Sequence, residues 1–150
     1  MSVKSQEKNM RKLADLLSHD LGYIWGEKES GPNGDKKVFL NTGKAFLRAL
    51  AKDLDLRDVK ASANPSGIAI SGNCILTGMW EENGIYIQLS QMCCDRKRVL
   101  LYRTIQDRKS NTSGQNHFLT RYDLLQKSYP QVLDIFLALR KGGASYGRAA

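Results

Sequence analysis

The sequence predicts an α+β fold: an antiparallel meander sheet of four to five strands, with N-terminal and C-terminal helices packed on one face. Three observations carry that expectation. Apolar residues recur at helical spacing near both ends of the chain, they alternate at every second position through the middle, and the alternating runs are joined by connections too short for a parallel crossover. Helices segregated in sequence from a run of strands belong to α+β layers rather than to alternating α/β units.

Met10, Leu13, Leu17, Leu21 and Ile24 form one apolar stripe, which predicts a first helix at roughly residues 4–25. The glycine-rich, charged run GEKESGPNGDKK then predicts a flexible loop at about 26–37. Thr42 is expected to cap a second helix at roughly 43–55, with Phe46, Leu50 and Leu54 inward. Lys44, Arg48 and Lys52 repeat with the same step and read as a solvated basic face. Thr42-Gly43-Lys44 is not a phosphate loop, because Val38 stands where that motif needs its first glycine.

From residue 57 the period becomes two. GIAIS (67–71) alternates, CILTGMW (74–80) follows, and Ile85, Ile87 and Leu89 alternate with Tyr86, Gln88 and Ser90. Asn83-Gly84 between two such runs signals a hairpin with both central residues at positive φ. In VLLYRTI (99–105) the alternation places Tyr102 and Thr104 on the open face with Tyr86 and Gln88, and Arg103 inward with Val99, Leu101 and Ile105. The polar run QDRKSNTSGQNHF (106–118) leaves the sheet, and Phe118, Leu119, Tyr122, Leu124 and Leu125 return the chain to the core. Ser128-Tyr129-Pro130-Gln131 reads as a capping box with proline in the first turn. Val132, Ile135, Phe136 and Leu139 give the last helix its inner face, and Gly142-Gly143 is expected to end it, leaving a frayed tail at about 142–150. By length, residues 1–150 form a single domain.

Composition narrows the function. No apolar run approaches the roughly 20 residues of a membrane span, and MSVKSQEKNMRK lacks the apolar region of a secretory signal. Cys74, Cys93 and Cys94 are odd in number and lack zinc-site spacing, so a reduced cytoplasmic protein with no metal and no cofactor is expected. The formal charge of +8 favours polyanionic partners. Its distribution is uneven: residues 95–109 carry six cations against Asp95 and Asp107, whereas residues 53–94 are mildly acidic.

Candidate binding residues follow from that map. Arg96, Lys97, Arg98, Arg108 and Lys109 are placed to contact phosphates, and Asn111 and Asn116 to read base edges or cap their own loop. Tyr86 and Tyr102, if outward, offer stacking surfaces for unpaired bases. Catalytic signals are weak. His117 beside Asn116 reads first as a hydrogen-bonded loop anchor, and His19 beside Asp20 as a helix-surface residue. Glu81 and Glu82 read as solvated turn residues, and no metalloprotease, nucleophile-elbow or dinucleotide motif is present. No catalytic residue is assigned.

The segment from VLLYRTI, with Arg103, into DRKSNTSGQN resembles small uncharacterised proteins, or domains of polyvalent proteins, carried by bacterial plasmids, phages and integrative elements. Their pattern is a strand with an arginine, a charged turn, and then Asp-Tyr-Thr-Gly-Gly-x-Asn. The chain matches it at Lys109, Thr112, Gly114 and Asn116 and departs from it at Ser110, Asn111 and Ser113, over less than a third of the chain. The resemblance implies a mobile-element setting and supplies no activity. The function expected is a non-enzymatic accessory protein binding nucleic acid or a nucleic-acid-bearing complex. The alternatives are a protein-binding inhibitor of a host defence complex, of anti-CRISPR or anti-restriction type, and a small nuclease or transferase using His117.

Overall fold

A computed structural model describes residues 2–18, 21, 35–64, 72–91, 97–106 and 114–149, with backbone alone for the last nine. The elements run α1 (Val3–Leu16), α2 (Asp35–Asp53), β1 (Arg57–Asn64), β2 (Asn73–Met79), β3 (Gly84–Ser90), β4 (Arg98–Ile105), β5 (His117–Thr120), α3 (Arg121–Gln126) and α4 (Tyr129–Ala149). The five strands form one antiparallel sheet in chain order, β1-β2-β3-β4-β5, so β3 lies at its centre. Two helices precede the sheet and two follow it, the α+β arrangement that the periodicities predict.

Helix α1 starts at Ser2, whose hydroxyl accepts from Ser5 N–H at 3.1 Å. Gln6, Met10, Leu13 and Leu17 line its buried side. The helix stops at Leu16, well short of residue 25, and the reason lies far away in sequence. Gln91, at the end of β3, donates its amide to Leu17 O at 3.1 Å and accepts from Leu21 N–H at 3.0 Å. A buried carboxamide thus takes the partners that another helical turn would have supplied. Gln6 is fully buried and donates to Phe46 O at 3.1 Å, tying α1 to α2. Arg11 is structural: one nitrogen donates to Leu124 O at 2.9 Å and Lys127 O at 2.7 Å, closing the end of α3.

Helix α2 begins at Asp35, not at Thr42, which lies buried inside it. The inner stripe extends back through Phe39, and Asp35 in the first turn suits the positive end of the helix dipole. Lys44 is half-buried, while Arg48 and Lys52 face solvent as the basic stripe predicts. The helix ends in a Schellman motif: Leu56 N–H bonds Ala51 O at 3.1 Å and Asp55 N–H bonds Lys52 O at 3.0 Å, with Asp55 at φ 56°. Trp80 Nε1–H adds a bond to Leu54 O at 2.7 Å.

Gly43 marks where α2 touches the sheet. A Cβ there would sit 2.6 Å from Cys74 Sγ, and the thiol itself donates to Leu40 O at 3.5 Å. Cys74, Leu76, Ile85, Ile87, Leu89 and Leu100 form the helix-covered face of the sheet. Burial pushes the Cys74 thiol pKa up to about 12, only partly opposed by Lys44.

The β2–β3 hairpin forms as predicted, but not through Asn83-Gly84 at its tip. Met79 pairs with Gly84, Trp80 N–H bonds Asn83 O at 2.7 Å, and Glu81-Glu82 occupy the turn. Asn83 is buried and donates to Leu139 O at 3.2 Å. Gly84 is required by close packing rather than by positive φ, because a Cβ would collide with Gly78 O and Met79 Sδ. The segments 67–71, where an alternating strand was expected, and 22–34 lie outside the described residues. The capping box at Ser128 is present, with Ser128 N–H to Gln131 Oε1 at 2.9 Å and Gln131 N–H to Ser128 Oγ at 3.2 Å. Helix α4 continues past Gly142-Gly143, which cost it stability but do not end it. Tyr129 locks α4 to both early helices: its N–H donates to Glu7 at 2.8 Å and its hydroxyl to Asp53 at 2.6 Å.

Candidate nucleic-acid interface

Cross-strand register decides which side chains share the face away from the helices. Lys60 pairs with Thr77, Thr77 with Tyr86, and Tyr86 with Arg103, so these four form one row across the sheet. The neighbouring row runs Ser62, Ile75, Gln88, Leu101 and Phe118. Tyr86 and Gln88 therefore lie on the open face as expected. Tyr102 and Thr104 do not. Tyr102 pairs with Ile87 and meets Phe136 of α4 edge-on at 5.2 Å, and Thr104 pairs with Ile85 and is buried. Arg103 faces outward, as Leu101 does, the reverse of the expected parity.

Arg103 is held as a flat cation on the sheet. Its guanidinium lies 4.3 Å from the centre of the Tyr86 ring, and Nη1 donates to Asn116 Oδ1 at 3.0 Å. Among the described residues its buried Nε has no hydrogen-bond partner and no carboxylate pairs with it. Burial raises the Tyr86 hydroxyl pKa, partly offset by the Arg103 charge. That hydroxyl donates to Gln88 Oε1 at 2.7 Å, and Gln88 Nε2–H donates to Ser90 Oγ at 3.2 Å, giving a polar line along β3. A second cation–ring pair sits at the edge of the sheet: Arg98 lies 4.4 Å over the Phe118 ring, where a register shift in β4 lets it reach β5.

Phe118 is exposed because it faces this open side, and Tyr122 and Leu125 are exposed on α3, so of the five apolar residues expected to re-enter the core only Leu119 and Leu124 are buried. The five strands carry Arg57, Lys60, Arg98 and Arg103 against the single carboxylate of Asp58, and Asp58 sits at an irregularity in the edge strand with φ 53°. The sheet face is thus cationic, amide-rich and ringed.

Of the predicted binding residues, the structure brings Tyr86 and Asn116 together through Arg103 and places Arg98 and Lys97 at the start of β4. Arg96, Arg108, Lys109 and Asn111 lie outside the described residues. His117 stacks on Tyr102 with ring centres 5.3 Å apart, on the helix side of the edge strand. His19 is outside the described residues. Phe118 was missed as a site residue. Its position opposite Leu101 is a matter of register that the sequence does not print.

Among the described residues no cluster of His, Cys, Asp and Glu could hold a metal ion, and no helix is long and apolar enough to cross a membrane. Comparison with known proteins gave no match to a family model, a curated protein or a solved structure. The fold and face define an α+β protein with a basic, aromatic open sheet.

Proposed function

We propose that this protein is a non-enzymatic accessory factor of a mobile genetic element that binds single-stranded nucleic acid on the open face of its sheet. The observation that supports this most is the pairing of cations with rings on that face, Arg103 on Tyr86 and Arg98 on Phe118, with Arg103 unneutralised by any described carboxylate. Rings and guanidinium planes stack on unpaired bases, and cations on a rigid sheet contact the backbone. A duplex hides its base faces, so the same rings favour a single strand.

Binding of a labelled oligonucleotide, followed by anisotropy, tests the reading. Phe118→Ala removes an exposed ring on an edge strand, so it leaves the fold intact while weakening binding by roughly five- to hundredfold, the loss of one stacked base. Binding unchanged in Phe118→Ala and in Tyr86→Ala would transfer the function to a protein partner.

A further inference from the structure

Rings and cations on the open face supply stacking and phosphate contacts, and neither tells one base from another. The carboxamide of Gln88 is placed to do so. Gln88 stands near the middle of β3, the central strand, with half-buried Ile75 opposite it on β2 and half-buried Leu101 opposite it on β4. Beyond Leu101, in the same row, lies the exposed ring of Phe118. Neighbouring strands are about 4.8 Å apart, so Gln88 and Phe118 flank Leu101 on its two sides at that spacing. A base laid flat on Leu101 then meets the ring at one edge and the carboxamide at the other.

The amide is held in place. Its oxygen accepts from the Tyr86 hydroxyl at 2.7 Å, and its nitrogen donates to Ser90 Oγ at 3.2 Å. Tyr86 and Ser90 lie two residues before and two after Gln88 on the same side of the strand, so the carboxamide is bridged from both directions along β3. A carboxamide has two lone pairs on its oxygen and two hydrogens on its nitrogen. The bridge uses one of each, and among the described residues the side chain makes no other hydrogen bond. One acceptor and one donor remain on a fixed group, beside an apolar floor and an exposed ring.

We propose that Gln88 is the specificity-determining residue of the single-strand site, pairing through both remaining groups with an adenine seated on Leu101 against Phe118. The inference rests on the single-strand reading of this face and adds the base that it selects. On the edge that lies outside Watson–Crick pairing, adenine alone sets a donor, N6–H, beside an acceptor, N7. Guanine offers two acceptors there, cytosine only its amino donor and thymine only its carbonyl acceptor. A carboxamide matches the adenine edge with two bonds and each of the others with one.

Anisotropy of labelled oligo-dA, oligo-dC and oligo-dT, each titrated with the full chain, tests it, with circular dichroism as the folding control. Oligo-dA binds roughly five- to hundredfold tighter than the other two, the discrimination of one bidentate pair. Gln88→Met keeps the reach of the side chain and removes both polar groups, so the affinity for oligo-dA falls to about that for oligo-dT. Gln88→Glu has no donor, so oligo-dA loses its lead over oligo-dC, whose amino group needs only an acceptor. A merely structural role for Gln88 would lower all three affinities together and leave their ratios unchanged, which would overturn the proposal. Equal affinity of the wild-type chain for the three strands, or a lead for another base, would overturn it and leave the single-strand reading standing. So would a lead for oligo-dA that persists in folded Gln88→Met and Gln88→Glu. Binding of none of the three strands would overturn both.

Discussion

Replacing Gly43 by alanine sets two opposite effects against each other, and their balance tests how α2 meets the sheet. In a free helix the change stabilises by about 1 kcal/mol, because glycine has more backbone entropy to lose. In this protein the new Cβ would lie 2.6 Å from Cys74 Sγ and 3.3 Å from Cys74 Cβ. Ordinary carbon contacts are about 3.5–4.0 Å, so the sulfur would have to move by roughly 1 Å. It is fully buried and bonded to Leu40 O, so moving it disturbs packed neighbours. Overpacking of this kind costs about 1–3 kcal/mol. The net expectation is a loss of about 1 kcal/mol, despite the better helix former. Cys74→Ala alone should lose a similar amount through lost burial. The double variant removes the sulfur and keeps the helical gain, so it should return close to the wild-type value. Urea denaturation of the four proteins gives a coupling of about 1–3 kcal/mol. If Gly43→Ala is stabilising by its full helix propensity and uncoupled from Cys74→Ala, α2 does not pack on β2 as described.

Four further outcomes are expected. Asp55→Gly should stabilise by about 0.5–1 kcal/mol in thermal melts, since Asp55 holds a left-handed backbone at a helix C-terminus where its charge also opposes the dipole. Gly84→Val should destabilise by about 1–3 kcal/mol through overlap with Gly78 O and Met79 Sδ, and an unaltered melting temperature would reject that packing. The pH dependence follows from Cys74, whose folded pKa of about 12 exceeds that of an unfolded thiol near 8.5. Its contribution is complete below about pH 8.5 and is lost as pH rises toward the folded value, at up to about 1.4 kcal/mol per pH unit. Tyr129, raised by burial and by its bond to Asp53, adds a loss beginning near pH 10, and urea midpoints between pH 8 and 11 should show both, the first absent in Cys74→Ala.

The alternation of Ile85, Ile87 and Leu89 with Tyr86 and Gln88 was legible because one side of β3 is buried against the core and the other, among the described residues, meets no helix. The next strand hid its parity. VLLYRTI is apolar on both faces: Leu100 packs inward, Leu101 faces outward beside Phe118, and Ile105 is buried next to Gly84. Only the pairing of Tyr86 with Arg103 fixes which residues point out. The ends of the first two helices failed for related reasons. Gln91, 70 residues beyond Leu21, replaces the next turn of α1. Thr42-Gly43 looks like a helix start but lies mid-helix, and the glycine is there because the sheet leaves no room for a side chain. The basic cluster was visible as charge. That Arg103 would lie on a ring and bond Asn116 across the exit of the loop depended on three-dimensional pairing.

Whether the ringed, cationic sheet face holds a single strand is read from the salt dependence of oligonucleotide binding. The logarithm of the association constant should fall linearly with the logarithm of salt concentration, and Arg98→Glu should flatten that slope by roughly 0.7 for the phosphate contact removed. The weakening should be about equal across base sequences, because phosphates carry no base identity. An affinity that does not respond to salt, or a slope that Arg98→Glu leaves unchanged in a folded protein, would contradict the account.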